Sequence, residues 1–229
     1  MRPKPFIRSL ACAVLFSLPT VLLAQTQPAP SLAASTPLPL IAPSIPPSYV
    51  VDLMTAQGSA VVGAQWKTME AKIIQVAPIP SALPGYKIGY DIDPHAGEGG
   101  YDDSSWPVIE AKDLAARRGG GRVSFIWYRT TLTIPAKIGD FATDGAMVVL
   151  TVLVDDYAEV WVNGQLPRRV GRPSPATIQG FNMPNRVVLA DIGKAGDKFQ
   201  IAVFGINGPI SLAPTNTVWF REAKLEFFR

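Results

Sequence analysis

Eight consecutive residues, Met147–Val154 (M-V-V-L-T-V-L-V), are apolar but for one threonine, and this run constrains the fold more than any other feature. A nearly continuous apolar stretch of that length is expected of a central strand covered on both faces. After Asp155-Asp156-Tyr157 the pattern turns to alternation. Ala158, Val160 and Val162 fall on one parity, Glu159 and Trp161 on the other, and Asn163-Gly164 follows. Asn-Gly supplies the positive φ of a type I′ turn, so a hairpin is predicted with its return strand beginning at Gln165-Leu166.

The rest of the chain from Tyr49 reads the same way. Val123–Ile134 is rich in β-branched and aromatic residues, with Ile126, Tyr128, Leu132 and Ile134 on one parity. Further strands are predicted at 67–76, 186–189, 198–205 and 218–228. In the last, Ala223, Leu225 and Phe227 alternate with Glu222, Lys224 and Glu226. A turn or two of helix is expected at Glu110–Arg118, ended by Gly119–Gly121. The 19 Gly and 22 Pro suit many short strands, while 48% hydrophobic and 17% charged residues allow a packed core and exclude global disorder. No repeat of solenoid or propeller period is present. The fold class is all-β: a jelly-roll β-sandwich over residues 49–229.

The N-terminus reads differently. Arg2, Lys4 and Arg8 precede an uncharged, mostly apolar run, Leu10–Leu23, and then Ala24. A positive region, an apolar region and a small residue at the cut describe a secretory signal peptide over residues 1–24, although Leu22 fits the small-residue preference poorly. The run is shorter than the ~20 residues of a spanning helix, so no transmembrane segment is expected in the mature chain. Residues 25–48 hold Pro28, Pro30, Pro37, Pro39, Pro43, Pro46 and Pro47 and no charge, the composition of an extended linker. Removing the three leading basic residues from the 21 in the chain leaves them equal in number to the 18 acidic ones. The basic character therefore belongs to the leader, and nucleic acid is not an expected partner. One Cys and one His exclude a disulfide framework and zinc sites built from Cys and His. No cofactor is expected.

From Tyr101 onward the motifs follow a recognisable order. Y-D-D-S-S-W (101–106) precedes W-Y-R-T-T-L-T-I-P (127–135), then V-D-D-Y-A-E-V-W-V-N-G (154–164) and G-D-K-F-Q-I-A-V-F-G-I-N (196–207). This resembles the galactose-binding-like jelly-roll module at the front of family 2 glycoside hydrolases. With G-F-N-x-P-N-R (180–186) and F-G-I-N-G-P-I-S (204–211) it is also similar to modules preceding gluconolactonase-type propellers in secreted bacterial proteins. The resemblance covers roughly residues 63–229. In those families the catalytic groups lie on the other domain, and here the sequence stops at Arg229 without a barrel or propeller. The resemblance thus implies a non-catalytic module, with function to be argued from its own site.

Several residue groups are candidates for chemistry. Asp91, Asp93, Glu98, Asp102 and Asp103 crowd a Gly-rich stretch that could supply oxygen ligands to calcium, but Ala96 stands where an EF-hand loop needs Gly. Turn formation explains them more simply, and no metal site is assigned. His95 is the one imidazole, with Ser104 and Ser105 the nearest hydroxyls, but no G-x-S-x-G elbow accompanies it. Asp155 and Asp156 could act as acid and base in glycoside hydrolysis, although neighbouring Asp residues point in different directions. Trp127, Trp161 and Trp219 are assigned to core or inter-sheet packing. Arg117-Arg118 and Arg168-Arg169 are assigned to solvated faces. For ligand binding, Asn182, Asn185, Arg186 and Asn207 lie in Gly- and Pro-containing loops beside Phe181. Amides bond sugar hydroxyls in either direction and aromatic faces stack on sugar C–H faces.

The resulting expectation is a secreted or periplasmic module that binds carbohydrate or a cell-surface glycan without catalysis. Two alternatives stay open. One is a hydrolase of glycosidase or lactonase type using loop carboxylates. The other is a structural subunit docking onto a separately encoded enzyme.

Overall fold

The computed structural model describes residues 41–81, 83–166, 178–179, 182–208 and 215–229. The predicted leader, the linker as far as residue 40, Arg168-Arg169 and Phe181 lie outside those residues. In chain order the first elements are β1 (Tyr49–Asp52), helix α1 (Ala56–Val61), β2 (Trp66–Glu70), β3 (Lys72–Pro80), β4 (Lys87–Asp93), β5 (Val108–Ile109) and a 3-10 turn at Ala111–Ala115. Then come β6 (Ser124–Thr133), β7 (Lys137–Ile138), β8 (Phe141–Ala142), β9 (Met147–Asp155) and β10 (Tyr157–Val162). The last are β11 (Ile178–Gln179), β12 (Asn185–Ala190), β13 (Lys198–Asn207) and β14 (Trp219–Phe228).

Two antiparallel sheets form the predicted sandwich. One is four-stranded in the order β1-β14-β9-β12, the other six-stranded in the order β11-β10-β13-β6-β2-β5. From β9 onward the chain crosses repeatedly between them, β9 to β10, β11 to β12, β12 to β13 and β13 to β14. The apolar parities meet in the middle. Val148, Leu150, Val152 and Val154 of β9 join Leu225 and Phe227 of β14 against Ile126, Tyr128, Val160, Ile201 and Val203 of the other sheet, all essentially inaccessible to solvent. Each such side chain stabilises the fold by roughly 1.5–3 kcal/mol through burial. The Met147–Val154 run is covered on both faces as predicted. Its second face meets Ala42 and Phe228 through Val149.

The described end of the proline-rich stretch lies along the sandwich. Ala42 is buried, the Pro43 carbonyl accepts from Arg186 Nη1 at 2.6 Å, and the Ser48 N–H donates to the Phe227 carbonyl at 2.7 Å.

The structure departs from the predicted elements in several places. The strand predicted at 67–76 divides at Ala71. β2 pairs with β6 as far as Glu70 opposite Ile126, and the Ala71 N–H still reaches the Phe125 carbonyl. Because β6 begins at Ser124, little remains there to pair with, and β3 leaves the sheet to pair with β4 alone. The Asn163-Gly164 turn forms with φ of 51° and 78°, but its return is only a bridge between Gln165 and Val162. The helical signal at 110–118 yields the short 3-10 turn. Helix α1, with its Thr55 cap accepting from the Gly58 N–H, carried no periodic signal that the sequence reading used.

Of the tryptophans assigned to packing, Trp127 is buried in an apolar cluster as predicted, whereas Trp161 and Trp219 are only half-buried. Trp66 lies in the core between the sheets, whereas Trp127 and Trp161 sit on the outer face of the six-stranded sheet in a second apolar cluster. Parity is the reason: Ala158 and Val160 point inward, so Trp161 points outward. It is half-buried there because Gly97 lies over its ring; a Cβ at Gly97 would come within 2.7 Å of Trp161 Cδ2. Trp219 precedes inward Phe220 on β14 and carries the guanidinium carbons of Arg117 and Arg221 at 4.2 and 5.7 Å from its ring centroid.

Candidate functional site

Two clusters gather the residues singled out in the sequence. The first surrounds Arg129. Its neighbours Tyr128 and Thr130 have the opposite parity, so Arg129 lies on the outer face of β6, yet only 2% of it is exposed. The segment 94–106 folds across it and supplies the partners. Nη1 donates to the Ala96 carbonyl and, at 3.3 Å, to that of Glu98; Nη2 donates to the Tyr101 carbonyl at 3.3 Å. Nε donates to Asp103 Oδ2 at 2.8 Å. Asp103 Oδ1 accepts from Lys67 Nζ at 2.7 Å, and Lys67 stands opposite Arg129 in the β2–β6 register. Burial alone pushes the Asp103 carboxyl upward, but the hydrogen bonds and charges of Lys67 and Arg129 outweigh it and leave its pKa below the ordinary 3.8.

Other carboxylates in and just before this segment make local contacts. Asp102 Oδ1 caps the Ser104 N–H at 2.9 Å, a backbone hydrogen bond that lowers its pKa. Asp91 Oδ2 lies 3.0 Å from His95 Nε2. Trp106 closes the segment from below, edge-on to Tyr101 at 5.5 Å, and Trp127 Nε1 donates to the Pro94 carbonyl at 3.0 Å. Among the described residues no group of three or more His, Cys, Asp or Glu lies close enough together to hold a metal ion.

The second cluster lies where β9 bends into β10. Asp155, 8% exposed, accepts from Arg221 Nη2 at 2.8 Å on Oδ1 and from Asn207 Nδ2 at 3.1 Å on Oδ2. Asn207 Nδ2 also donates to the Thr217 carbonyl at 2.6 Å. Asn182, in left-handed conformation with φ of 61°, donates its N–H to the Asp156 carbonyl at 3.0 Å. Asn185 opens β12 opposite Val152 and is completely buried. Among the described residues neither its Oδ1 nor its Nδ2 has a hydrogen-bond partner, and the buried Oδ1 of Asn182 has none either. Buried amide atoms are rarely left in that state, since each costs about 1–3 kcal/mol.

The predicted ligand residues are therefore distributed as follows. Asn182 and Asn207 both attach to the Asp155-Asp156 bend, and Asn185 lies three residues beyond Asn182. Arg186 has the opposite parity to Asn185 and sits on the outer face of its sheet, where Nη2 donates to Glu226 Oε2 at 3.1 Å. Phe181 lies outside the described residues. The sequence reading missed Arg129, Lys67 and Arg221. A charged residue on an otherwise apolar strand was the available signal for Arg129; nothing local marks the other two.

An open groove of about 600 Å³ runs between α1 and the 3-10 turn, lined by Met54, Ala60, Ala64, Val108 and Ile109. Its two charged residues, Glu110 and Lys112, pair with each other at 2.6 Å.

No protein-family model matches the chain, and no curated protein does. Among solved structures, a calcium-binding mutant of Bacteroides uniformis beta-glucuronidase 2 is similar over 72% of this chain, with 16% identity and a TM-score of 0.42. Faecalibacterium prausnitzii beta-glucuronidase is similar over 82%, with 13% identity and a TM-score of 0.41. Kluyveromyces marxianus beta-glucosidase in complex with glucose is similar over 78%, with 11% identity and a TM-score of 0.34. The matched regions span 18%, 33% and 18% of those proteins' own lengths, respectively.

Proposed function

We propose that the protein is an exported module, secreted or periplasmic, that binds carbohydrate or a cell-surface glycan and performs no catalysis. The observation that carries this reading is the occupation of two of the candidate carboxylates, Asp155 on the bend and Asp103 in the loop. Both oxygens of Asp155 and both oxygens of Asp103 accept from donors of the protein itself. A glycosidase needs one carboxyl free to protonate the leaving oxygen and another facing water or the anomeric carbon. Carboxylates already tied to Arg, Lys and Asn side chains serve as anchors instead.

Sugar hydroxyls both donate and accept, and the buried Oδ1 of Asn182 has no donor among the described residues. In this reading the Asn182 amide contacts the ligand, while the buried Asn185, with Asn207 and Arg186, holds the surrounding frame. Each neutral hydrogen bond nets only about 0.5–1.5 kcal/mol after water is displaced, so affinity is weak.

Polysaccharide pulldown and glycan-array binding of the wild type and Asn182→Ala test the reading. The expected result is retention on one class of glycan, lost by about tenfold in the variant, the equivalent of a hydrogen bond at the upper end of that range, with unchanged thermal unfolding. Turnover of aryl glycosides or lactones that Asp156→Asn abolishes would overturn it in favour of a hydrolase. Absence of all glycan binding, with co-purification of one enzyme, would make the protein a docking subunit.

A further inference from the structure

Apolar exposure among the described residues concentrates on the β3–β4 hairpin. Ile73, Ile74, Ile79, Ile88, Tyr86 and Tyr90 are all exposed, Tyr90 at 67%. Among the described residues the two strands pair only with each other, so each has a free edge whose backbone groups can template another strand.

The two edges are not equivalent. β3 is interrupted by a register shift between Gln75 and Ile79 and contains Pro78 and Pro80, which have no N–H to donate. Such devices blunt an edge. β4, the seven residues K-I-G-Y-D-I-D, has no proline and no bulge of its own.

Its sequence also specifies a partner. Side chains alternate, so Ile88, Tyr90 and Ile92 share one face while Lys87, Asp91 and Asp93 share the other. Set antiparallel against itself about Tyr90, the strand brings Lys87 opposite Asp93 of the partner subunit and Ile88 opposite Ile92 of the partner subunit. Tyr90 then meets the partner subunit's Tyr90 on the axis. Lys87 thus meets an opposite charge and Ile88 an apolar residue, each pairing repeated by the two-fold, while Asp91 stands opposite a glycine and meets no like charge. Opposite-charge and aromatic cross-strand pairs are the stabilising units of a sheet, and like charges directly opposite are disfavoured. Ile73 and Ile79, which stand opposite Ile92 and Ile88 within the hairpin, extend the apolar face on either side.

We propose that the protein forms a two-fold homodimer by antiparallel pairing of β4 with β4 of a second copy, centred on Tyr90. The contact joins the two hairpins into one four-stranded sheet and is self-complementary, as a two-fold interface must be. It does not depend on glycan binding.

Sedimentation equilibrium of the full chain at up to about 100 µM, a range that detects weak association, is expected to show a reversible dimer. Tyr90→Lys places two cations together on the axis and is expected to weaken association by about tenfold or more. Tyr86→Lys, at the equally exposed hairpin tip outside the paired register, is expected to leave it unchanged. With Cys12, the one native cysteine, replaced by Ser, Tyr90→Cys is expected to oxidise to a disulfide-linked dimer, because opposed residues lie about 4.5–5.5 Å apart at Cα. Tyr86→Cys is expected to remain monomeric on the same gel. A wild type that is monomeric throughout would overturn the proposal. So would equal disruption by both Lys variants, which would indicate unspecific apolar association, or a Tyr90→Cys variant that does not cross-link.

Discussion

The β3–β4 hairpin and the segment 94–106 follow one another in the chain and invert the usual relation between regularity and burial. The hairpin is a regular ladder of paired strands, yet nearly every residue of β3 is exposed. The segment after it has almost no regular structure yet contains Ala96 and Trp106, both buried. Its order comes from side chains, chiefly the Arg129 guanidinium spanning three carbonyls and the Asp103 carboxylate. Strand pairing satisfies backbone groups without requiring a core, whereas a buried arginine requires every neighbour to present an acceptor. Secondary structure and anchorage are therefore separate properties of these two regions.

The comparison breaks most readily at Arg129. Arg129→Leu leaves Asp103 with only Lys67 and removes the donor to the Ala96, Glu98 and Tyr101 carbonyls. We expect a loss of about 3 kcal/mol or more in urea unfolding, in line with removing one partner of a buried ion pair. Arg129→Lys is expected to restore little, because a single ammonium cannot reproduce the planar fork. Retained stability in Arg129→Leu would show that apolar contacts alone hold the segment.

A smaller effect is expected at Trp161, whose ring is covered on the outer face by Gly97 of the same segment. It is half-buried rather than enclosed between sheets, so Trp161→Ala should cost about 1–2 kcal/mol, less than the full burial of an aromatic side chain. A loss equal to that of a core tryptophan would mean that the segment and the sheet form one continuous core.

The smallest effect belongs to the hairpin. Ile79→Thr keeps a β-branched residue at an exposed position, and the unfolding midpoint measured at low protein concentration should shift by no more than about 0.5 kcal/mol equivalent. A larger loss would show that the packing of the hairpin in the monomer, which at Ile92 reaches the cluster of Trp106 and Trp127, extends to Ile79.

Much of the fold was legible in the residues. The alternation of Ala158, Val160 and Val162 gave the inward face of β10, the parity of Ile126, Tyr128, Leu132 and Ile134 that of β6, and Asn163-Gly164 the turn. The division at Ala71 was not legible, since it depends on where β6 starts more than 50 residues later. The same holds for the tryptophans: aromatic residues on strands announce burial, but which layer buries them depends on what the loops cover. At the candidate site, the composition of 182–186 marked a polar bend. It did not reveal that the consecutive residues Asn185 and Arg186 serve opposite faces of one strand, the first in the interior and the second in an ion pair with Glu226.

What the sequence by itself determined is the all-β character, the principal strands and their inward faces, because alternation and turn chemistry act over a few neighbouring residues. Only the tertiary structure decided which polar groups are consumed in anchoring and which are left without partners. Asp103 finds Arg129 across 26 residues, and Asp155 finds Asn207 across 52. A charge's partner is selected by sheet order and register rather than by its neighbours in the chain, and two aspartates that look equally available in the sequence become fixed supports once the sheets close around them.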